Sequence, residues 1–381
     1  MGKKIFVLGG AGNIGSELTR GLLAFEDISE VMIGEYNLKS AEKLAKELND
    51  SRVRTVFVDV KDTKDTVSKI HGYDLFMNAT HFDLFDYALS AACNAGINYI
   101  DLISEPTEEQ AELVRNAGIT AMSGVGISPG LTNILARYSA DQLDSTDEIH
   151  IHWTTLRTIA PSKGLLGTVF WESANECPTR MYYLNGHFEV VPPLEGSKKV
   201  KFAEPMGEQI CYYLPHPETV SLPKNIPGVK YVSVRGTWRP QIMEDMSVLN
   251  RYGLLDPVEI DVDGKKIRVS DIVEKRIWQV HGGKLDENLW ASFINVEVIG
   301  YKGGNRKKII TNVSHPTEWR VKGTSKATGI PAAVCTALLA RNGSNQAGII
   351  YPEEYYNGTE VLKEFRDKFP MITIETTITE I

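Results

Sequence analysis

The 381-residue sequence predicts an α/β protein: an N-terminal doubly wound parallel sheet followed by a second, α+β domain. Three observations predict it. Short apolar runs alternate with amphipathic segments of helical period through the first third of the chain. A glycine-rich turn directly follows the first apolar run. After about residue 148 the alternation gives way to short period-two segments punctuated by glycine and proline.

The elements follow in chain order. Residues 4–8 are an apolar run ending in glycine and read as a buried parallel strand. Residues 14–24 place apolar side chains at helical spacing, and residues 38–48 do the same. Residues 30–34, 54–58, 74–78, 98–102 and 119–123 read as the following strands, with a helix over 85–95. Residues 149–155 alternate apolar and polar side chains, as a half-exposed strand does. Further strands are expected near 187–191, 230–235, 258–269 and 291–301. Residues 330–341 are strongly helical, with Pro331 suited to the first turn, where a missing N–H costs nothing. The expected domains are 1–130, completed by a returning segment at about 326–381, and 131–325.

Composition narrows the function classes. The chain is 42% hydrophobic and 24% charged, ordinary for a globular protein. A net charge of −8 argues against nucleic-acid and anionic-membrane partners. No run approaches the length of a membrane span. The four cysteines show no CxxC spacing, so no metal site is expected and a reducing, cytoplasmic setting is.

The turn Gly10-Ala11-Gly12-Asn13-Ile14-Gly15 is a full G-x-G-x-x-G. The first glycine permits a tight turn, the second lets backbone approach a pyrophosphate, and the third lets helix pack on strand. The helix N-terminus adds open N–H groups and a partial positive charge. This is the fingerprint of a Rossmann-type dinucleotide site. Glu35, about twenty residues on, stands where a carboxylate accepts from the adenosine ribose hydroxyls. Tyr36 and Asn37 follow it, with no arginine to meet a 2′-phosphate, so NAD is favoured over NADP. Asp59 is placed either to reach the adenine amino group or to form a strand-end turn. Asn78, Ala79 and Thr80 stand where the chain passes the nicotinamide ribose.

Four stretches resemble the saccharopine dehydrogenase family in its Rossmann-first branch. They are the N-terminal turn, residues 76–102 with their Asn78-Ala79 and Tyr99-Ile100-Asp101 motifs, residues 124–133, and residues 328–333 with Pro352-Glu353 beyond. Residues 150–325 are less diagnostic, although His216-Pro217-Glu218-Thr219 is similar to the family too. The resemblance implies hydride transfer between nicotinamide and a carbon bearing nitrogen, as in lysine metabolism. It also implies a homodimer built through the second domain, and a site in the cleft between domains. A similar glycine turn occurs in extended short-chain dehydrogenases, but those need Tyr-x-x-x-Lys. Here Tyr231 has Arg235 four positions on.

Amine oxidation needs a neutral amine, hence a base, and partners for the charged ends of an amino-acid-like substrate. Asp101, at the end of the fifth strand, is the leading catalytic acid, with a cap or turn role as its alternative. His81 can titrate near neutrality or be a plain surface histidine. Glu105 is a weaker candidate. Arg180, Arg235 and Arg239 are candidates for a substrate carboxylate, each with a surface role as its alternative. Phe170, Trp171, Glu172 and His216 are candidates to line the cleft, Trp171 being equally suited to a core. His150 and His152 share one strand face without a third ligand and are read as structural or exposed. The expected activity is therefore saccharopine-type or lysine 6-dehydrogenase-type oxidation. The alternative is an NAD-binding dimer without catalysis.

Overall fold

The computed structural model describes residues 2–102, 106–160, 162–284 and 290–381. In chain order the elements are β1 (Lys3–Leu8), α1 (Asn13–Leu22), β2 (Ile28–Glu35), α2 (Leu38–Leu48), β3 (Val53–Phe57), α3 (Thr63–Ile70), β4 (Leu75–Asn78), α4 (Phe85–Ala95), β5 (Tyr99–Asp101), α5 (Glu108–Ala117) and β6 (Thr120–Met122). There follow α6 (Leu131–Ala140), β7 (Ser145–Leu156), α7 (Lys163–Ser173), β8 (Met181–Leu184), β9 (His187–Val190), β10 (Lys198–Lys201), β11 (Glu208–Tyr213), α8 (Glu218–Asn225), β12 (Tyr231–Trp238) and α9 (Pro240–Arg251). The chain ends with β13 (Glu259–Val262), β14 (Lys265–Arg268), α10 (Val269–His281), β15 (Ala291–Lys302), β16 (Asn305–Ser314), α11 (Gly323–Asn342), β17 (Gly348–Ile350), α12 (Pro352–Tyr355), α13 (Gly358–Lys368) and β18 (Thr373–Glu380).

These elements form two units: Met1–Ile134 with Thr324–Pro370, and Leu135–Gly323 with Met371–Ile381. In the first unit a seven-stranded sheet runs β17-β6-β5-β4-β1-β2-β3, and all its pairs are parallel. β1 lies between β2 and β4, and Ile5, Phe6 and Val7 are fully buried there, which is why its sequence is a continuous apolar run. On one face Phe6, Phe76, Tyr99 and Phe85 meet ring edge to ring face at 5.6, 5.9 and 5.9 Å. α11 packs against α1 through small residues. A Cβ on Gly21 would lie 2.7 Å from the Ala333 Cβ, and one on Gly329 would lie 2.8 Å from the Leu18 nitrogen.

The second unit is a mixed nine-stranded sheet, β10-β11-β12-β7-β15-β16-β18, with β8 and β9 extending from β12. β7 pairs in parallel with β12 and antiparallel with β15. The register gives the sheet two unlike faces. Ile149, Ile151, Val232, Val234, Val296 and Val298 share the apolar one. His150, His152, Ser233, Arg235 and Asn295 share the other, also buried. Trp153 lies on the apolar face opposite Gly236, where a Cβ would come within 2.3 Å of the indole.

Two expectations need correction. The returning segment ends at Pro370: residues 373–380 form β18, which pairs with β16 in the second unit. Their alternation of Thr with Ile and Glu suits an edge strand, with no helical period. Pro331 lies inside α11, which begins at Gly323, so the helix starts well before the apolar periodicity makes it visible. The strands expected over 258–269 are present, as a separate two-stranded hairpin of β13 with β14 turning at Asp263-Gly264.

Candidate active site

In the first unit a candidate site is built at the carboxyl ends of β1, β2, β4 and β5, the edge at which open α/β sheets bind ligands. The left-handed residue of the turn is Gly9 (φ +73°), one position before the G-x-G-x-x-G begins. Its N–H donates to the Gly34 carbonyl at 2.8 Å, and its carbonyl accepts from Gly12 at 3.0 Å. Gly15 is required by packing: a Cβ there would lie 2.0 Å from the Gly9 carbonyl oxygen. The Thr19 hydroxyl donates to the Gly10 carbonyl at 3.0 Å. Among the described residues no side chain caps α1, which leaves its first-turn N–H groups open to an anion. Asn13 opens α1, followed by Ile14, and its side chain turns to α11 and accepts from the Ser325 hydroxyl at 2.8 Å.

Glu35 ends β2 and accepts the Ala11 N–H at 2.9 Å, so the acidic partner and the glycine turn are one assembly. Burial raises its carboxyl above the ordinary range, while the Ala11, Gly12 and Tyr36 amides act the other way. Beside it lies a cavity of about 330 Å³ lined by Leu8, Gly9, Gly34, Glu35, Tyr36, Val58, Asp59, Val60, Lys61, Thr80 and Leu84. Tyr36 is 71% exposed with its ring 5.7 Å from Phe57. Asp59 lines the cavity and accepts the Lys61 N–H at 3.1 Å, as a strand-end turn former does. Lys61 was not singled out in the sequence, where nothing distinguishes it from other surface lysines. The residues present fit a dinucleotide: backbone cradle, open helix terminus, carboxylate and cavity occur together.

Asn78 ends β4 and is buried. Its Oδ1 accepts from the Thr80 N–H at 3.0 Å and the Thr80 hydroxyl at 2.6 Å, and Nδ2 donates to Tyr99 at 2.9 Å. The Ala79 N–H continues the ladder to the Leu8 carbonyl. His81 is half exposed, 3.1 Å from Asp83, with its ring tilted against Phe82 at 4.0 Å. Asp101 ends β5 only 2% exposed, and its Oδ1 accepts the Gly124 N–H at 3.3 Å. Glu105 lies outside the described residues.

The second unit holds a buried ionisable cluster. Glu172 (6% exposed, near the end of α7) approaches His216 at 3.8 Å, and His216 Nδ1 lies 3.2 Å from Glu218. The Trp153 ring is 6.1 Å from His216, and the Thr219 N–H donates to the His216 carbonyl at 3.2 Å. Around this histidine, Glu172 Oε2, Trp153 Nε1 and Thr219 Oγ1 are buried without hydrogen-bond partners among the described residues. Burial pushes the Glu172 carboxyl up to about 7 although His216 and Arg157 oppose the shift. Arg157, also buried, is pushed down to about 10 by burial, and its NH1 donates to the Thr158 carbonyl at 3.2 Å. Trp153 and Arg157 were not singled out in the sequence, and Thr219 only as part of the His216–Thr219 motif. Trp153 falls among the apolar positions of a strand, and a lone arginine after a strand has no spacing to mark it.

Two arginines are corrected. Arg180 is 1% exposed and donates to the carbonyls of Val191, Glu172 and Ala174 at 2.9 to 3.0 Å, so its fork is committed to backbone. Arg235 donates to Gly196, Ser233 and Tyr231 and lies 3.8 Å over the Tyr213 ring. Both arginines hold the fold. Arg239 caps the N-terminus of α9, half-buried. Phe170 is core, whereas Trp171 is 46% exposed and belongs to no core. His150 bonds Ser233 and Glu148, and His152 bonds Asn295.

Comparison with known proteins gives a consistent result. Residues 5–122 match the saccharopine dehydrogenase NADP binding domain, and residues 126–373 match the saccharopine dehydrogenase C-terminal domain. A carboxyaminopropylagmatine dehydrogenase from Synechocystis is 25% identical over 377 residues, covering 92% of each chain. The saccharopine dehydrogenase (L-Glu forming) of Saccharomyces cerevisiae shares the fold at a TM-score of 0.71 and 16% identity, covering 99% of this chain and 100% of that one. The homospermidine synthase of Legionella pneumophila, solved with NAD, does so at 0.61 and 13%, covering 99% and 91%.

Proposed function

The chain belongs to the saccharopine dehydrogenase family of NAD(P)-dependent oxidoreductases, and on that premise we propose that it oxidises a carbon bearing an amine nitrogen in an amino-acid-like substrate, with Glu172 as the proton acceptor. One observation carries this reading: a carboxyl whose ordinary range is raised to about 7, with one buried oxygen unpartnered, beside a histidine. A group of that pKa takes a proton from a substrate ammonium near neutrality. The neutral amine then loses hydride from its carbon and becomes an iminium, which water can hydrolyse. The nicotinamide, when bound, supplies the hydride acceptor. Trp153 Nε1, Thr219 Oγ1 and Arg157 supply donors for the substrate carboxylate. Asp101 supports the 124–130 turn through Gly124, and we assign it positioning in place of proton transfer.

We favour NAD because Glu35 is held at the turn by Ala11, where a 2′-phosphate would meet its charge. Lys61 on the cavity wall is the feature that would favour NADP. Saccharopine and lysine are the first substrates to test. The Synechocystis relative supports a second reading, a carboxylated agmatine derivative. The test follows NADH absorbance with saccharopine, lysine, carboxynorspermidine and carboxyaminopropylagmatine. Turnover of one by the wild type and its loss in E172Q supports the proposal. Full turnover by E172Q contradicts the role of Glu172. Tight NAD binding without turnover of any amine favours the non-catalytic alternative.

A further inference from the structure

Tyr99 poses a question that packing does not answer. Its ring sits between Phe76 and Phe85 in the core of the first unit, 1% exposed, where phenylalanine would pack as well. A buried hydroxyl costs free energy unless it is hydrogen-bonded. This one meets Asn78 Nδ2 at 2.9 Å. The direction of that bond is fixed. The Thr80 backbone N–H can only donate, so it must face Asn78 Oδ1, and the amide therefore presents Nδ2 to Tyr99. Burial and the neighbouring Asp101 keep the Tyr99 phenol far from ionising. Thr80 then closes the chain on the glycine turn: a Cβ on Gly9 would lie 2.9 Å from Thr80 Cγ2, and both residues line the cavity beside Glu35.

We propose that Tyr99 is a positioning residue for the dinucleotide, acting through Asn78 and Thr80. Its hydroxyl locks the Asn78 amide, the amide locks the Thr80 backbone and hydroxyl, and Thr80 sets the wall of the cofactor site against Gly9. The inference rests on reading the first unit as the dinucleotide site. Wild-type NADH binding, measured first by fluorescence titration of the full chain, tests that reading separately.

Y99F keeps the ring and removes the acceptor. It is expected to weaken NADH about five- to tenfold, the consequence of an orphaned buried donor. Thr80→Val should weaken NADH similarly, and the double variant should be no weaker than the worse single one, because the two groups act in series. Unchanged NADH affinity in Y99F or additive losses in the double variant would each overturn the inference. If Y99F does not fold, Asn78 carries the test. The carboxylate of N78D accepts from both the Tyr99 and Thr80 hydroxyls, so N78D should retain NADH affinity within about threefold whereas N78L loses more. Equal losses from N78D and N78L contradict the relay.

Discussion

The two polar sites of this molecule are made of opposite materials. In the first unit the site is mostly backbone: the turn at Gly9, the packing at Gly15, the open terminus of α1, and one carboxylate bonded to Ala11. In the second unit it is side chains from distant segments: Trp153 and Arg157 around the end of β7, Glu172 from α7, and His216 with Thr219 before and within α8. A backbone site tolerates no added Cβ and is rigid by covalent geometry. A side-chain site is held by burial, and its ionisation states are set by that burial. Geometry should therefore dominate variants in the first unit, and charge should dominate those in the second.

The largest effect expected is at Gly15. A Cβ 2.0 Å from the Gly9 carbonyl must move the turn. Gly15→Ala is expected to weaken NADH roughly a thousandfold while circular dichroism stays native, since the close approach of helix and strand is lost. Native NADH affinity in that variant would break the contrast between the two sites.

Next come two of the buried arginines of the second unit, Arg180 and Arg157. Arg180→Met leaves backbone carbonyls without donors and should lower unfolding stability by about 3–4 kcal/mol in denaturant melts. Arg157→Met removes a poorly paired buried cation, so stability should hold while KM for the amine substrate rises about tenfold. The reverse pattern would exchange their roles.

Glu172 sharpens the comparison through pH. Its carboxyl is raised from 4.5 to about 7, so the folded protein holds this proton longer than the unfolded chain does. The stabilisation is complete below pH 4.5 and is lost as pH rises through about 7. At 1.36 kcal/mol per pKa unit the loss is about 3 kcal/mol at most. E172Q does not ionise, so its stability advantage over the wild type should grow across that window and then level off. Parallel melting curves against pH would contradict the buried carboxyl.

The smallest effect concerns the cofactor. Glu35→Gln keeps an acceptor for the Ala11 N–H and removes the charge. The preference for NAD over NADP should fall about tenfold in paired titrations. An unchanged ratio would assign discrimination to Lys61 instead.

The same contrast explains what could be read in the sequence. Glycines at fixed spacing after an apolar run are visible because backbone geometry forces them, as at Gly15. Glu35 was visible because the strand length sets its position. In the second unit the apolar alternation of 149–155 located a strand, yet its Trp153 showed only as hydrophobic. Arg180 and Arg235 drew attention as charges, although their guanidinium groups are spent on carbonyls and hydroxyls that tertiary folding brings to them. Arg157 carried no local signal, because its partner Glu172 arrives from the next helix. Residues 371–381 were assigned to the wrong unit because an edge strand of threonines does not announce its partner.

The most direct measurement is the pH dependence of kcat/KM for amine-dependent NADH formation in the wild type and E172Q. A wild-type profile rising through an apparent pKa near 7, with E172Q about a hundredfold slower and lacking that limb, is the predicted result. Superimposable profiles of equal height would contradict the assignment of the amine's proton to Glu172.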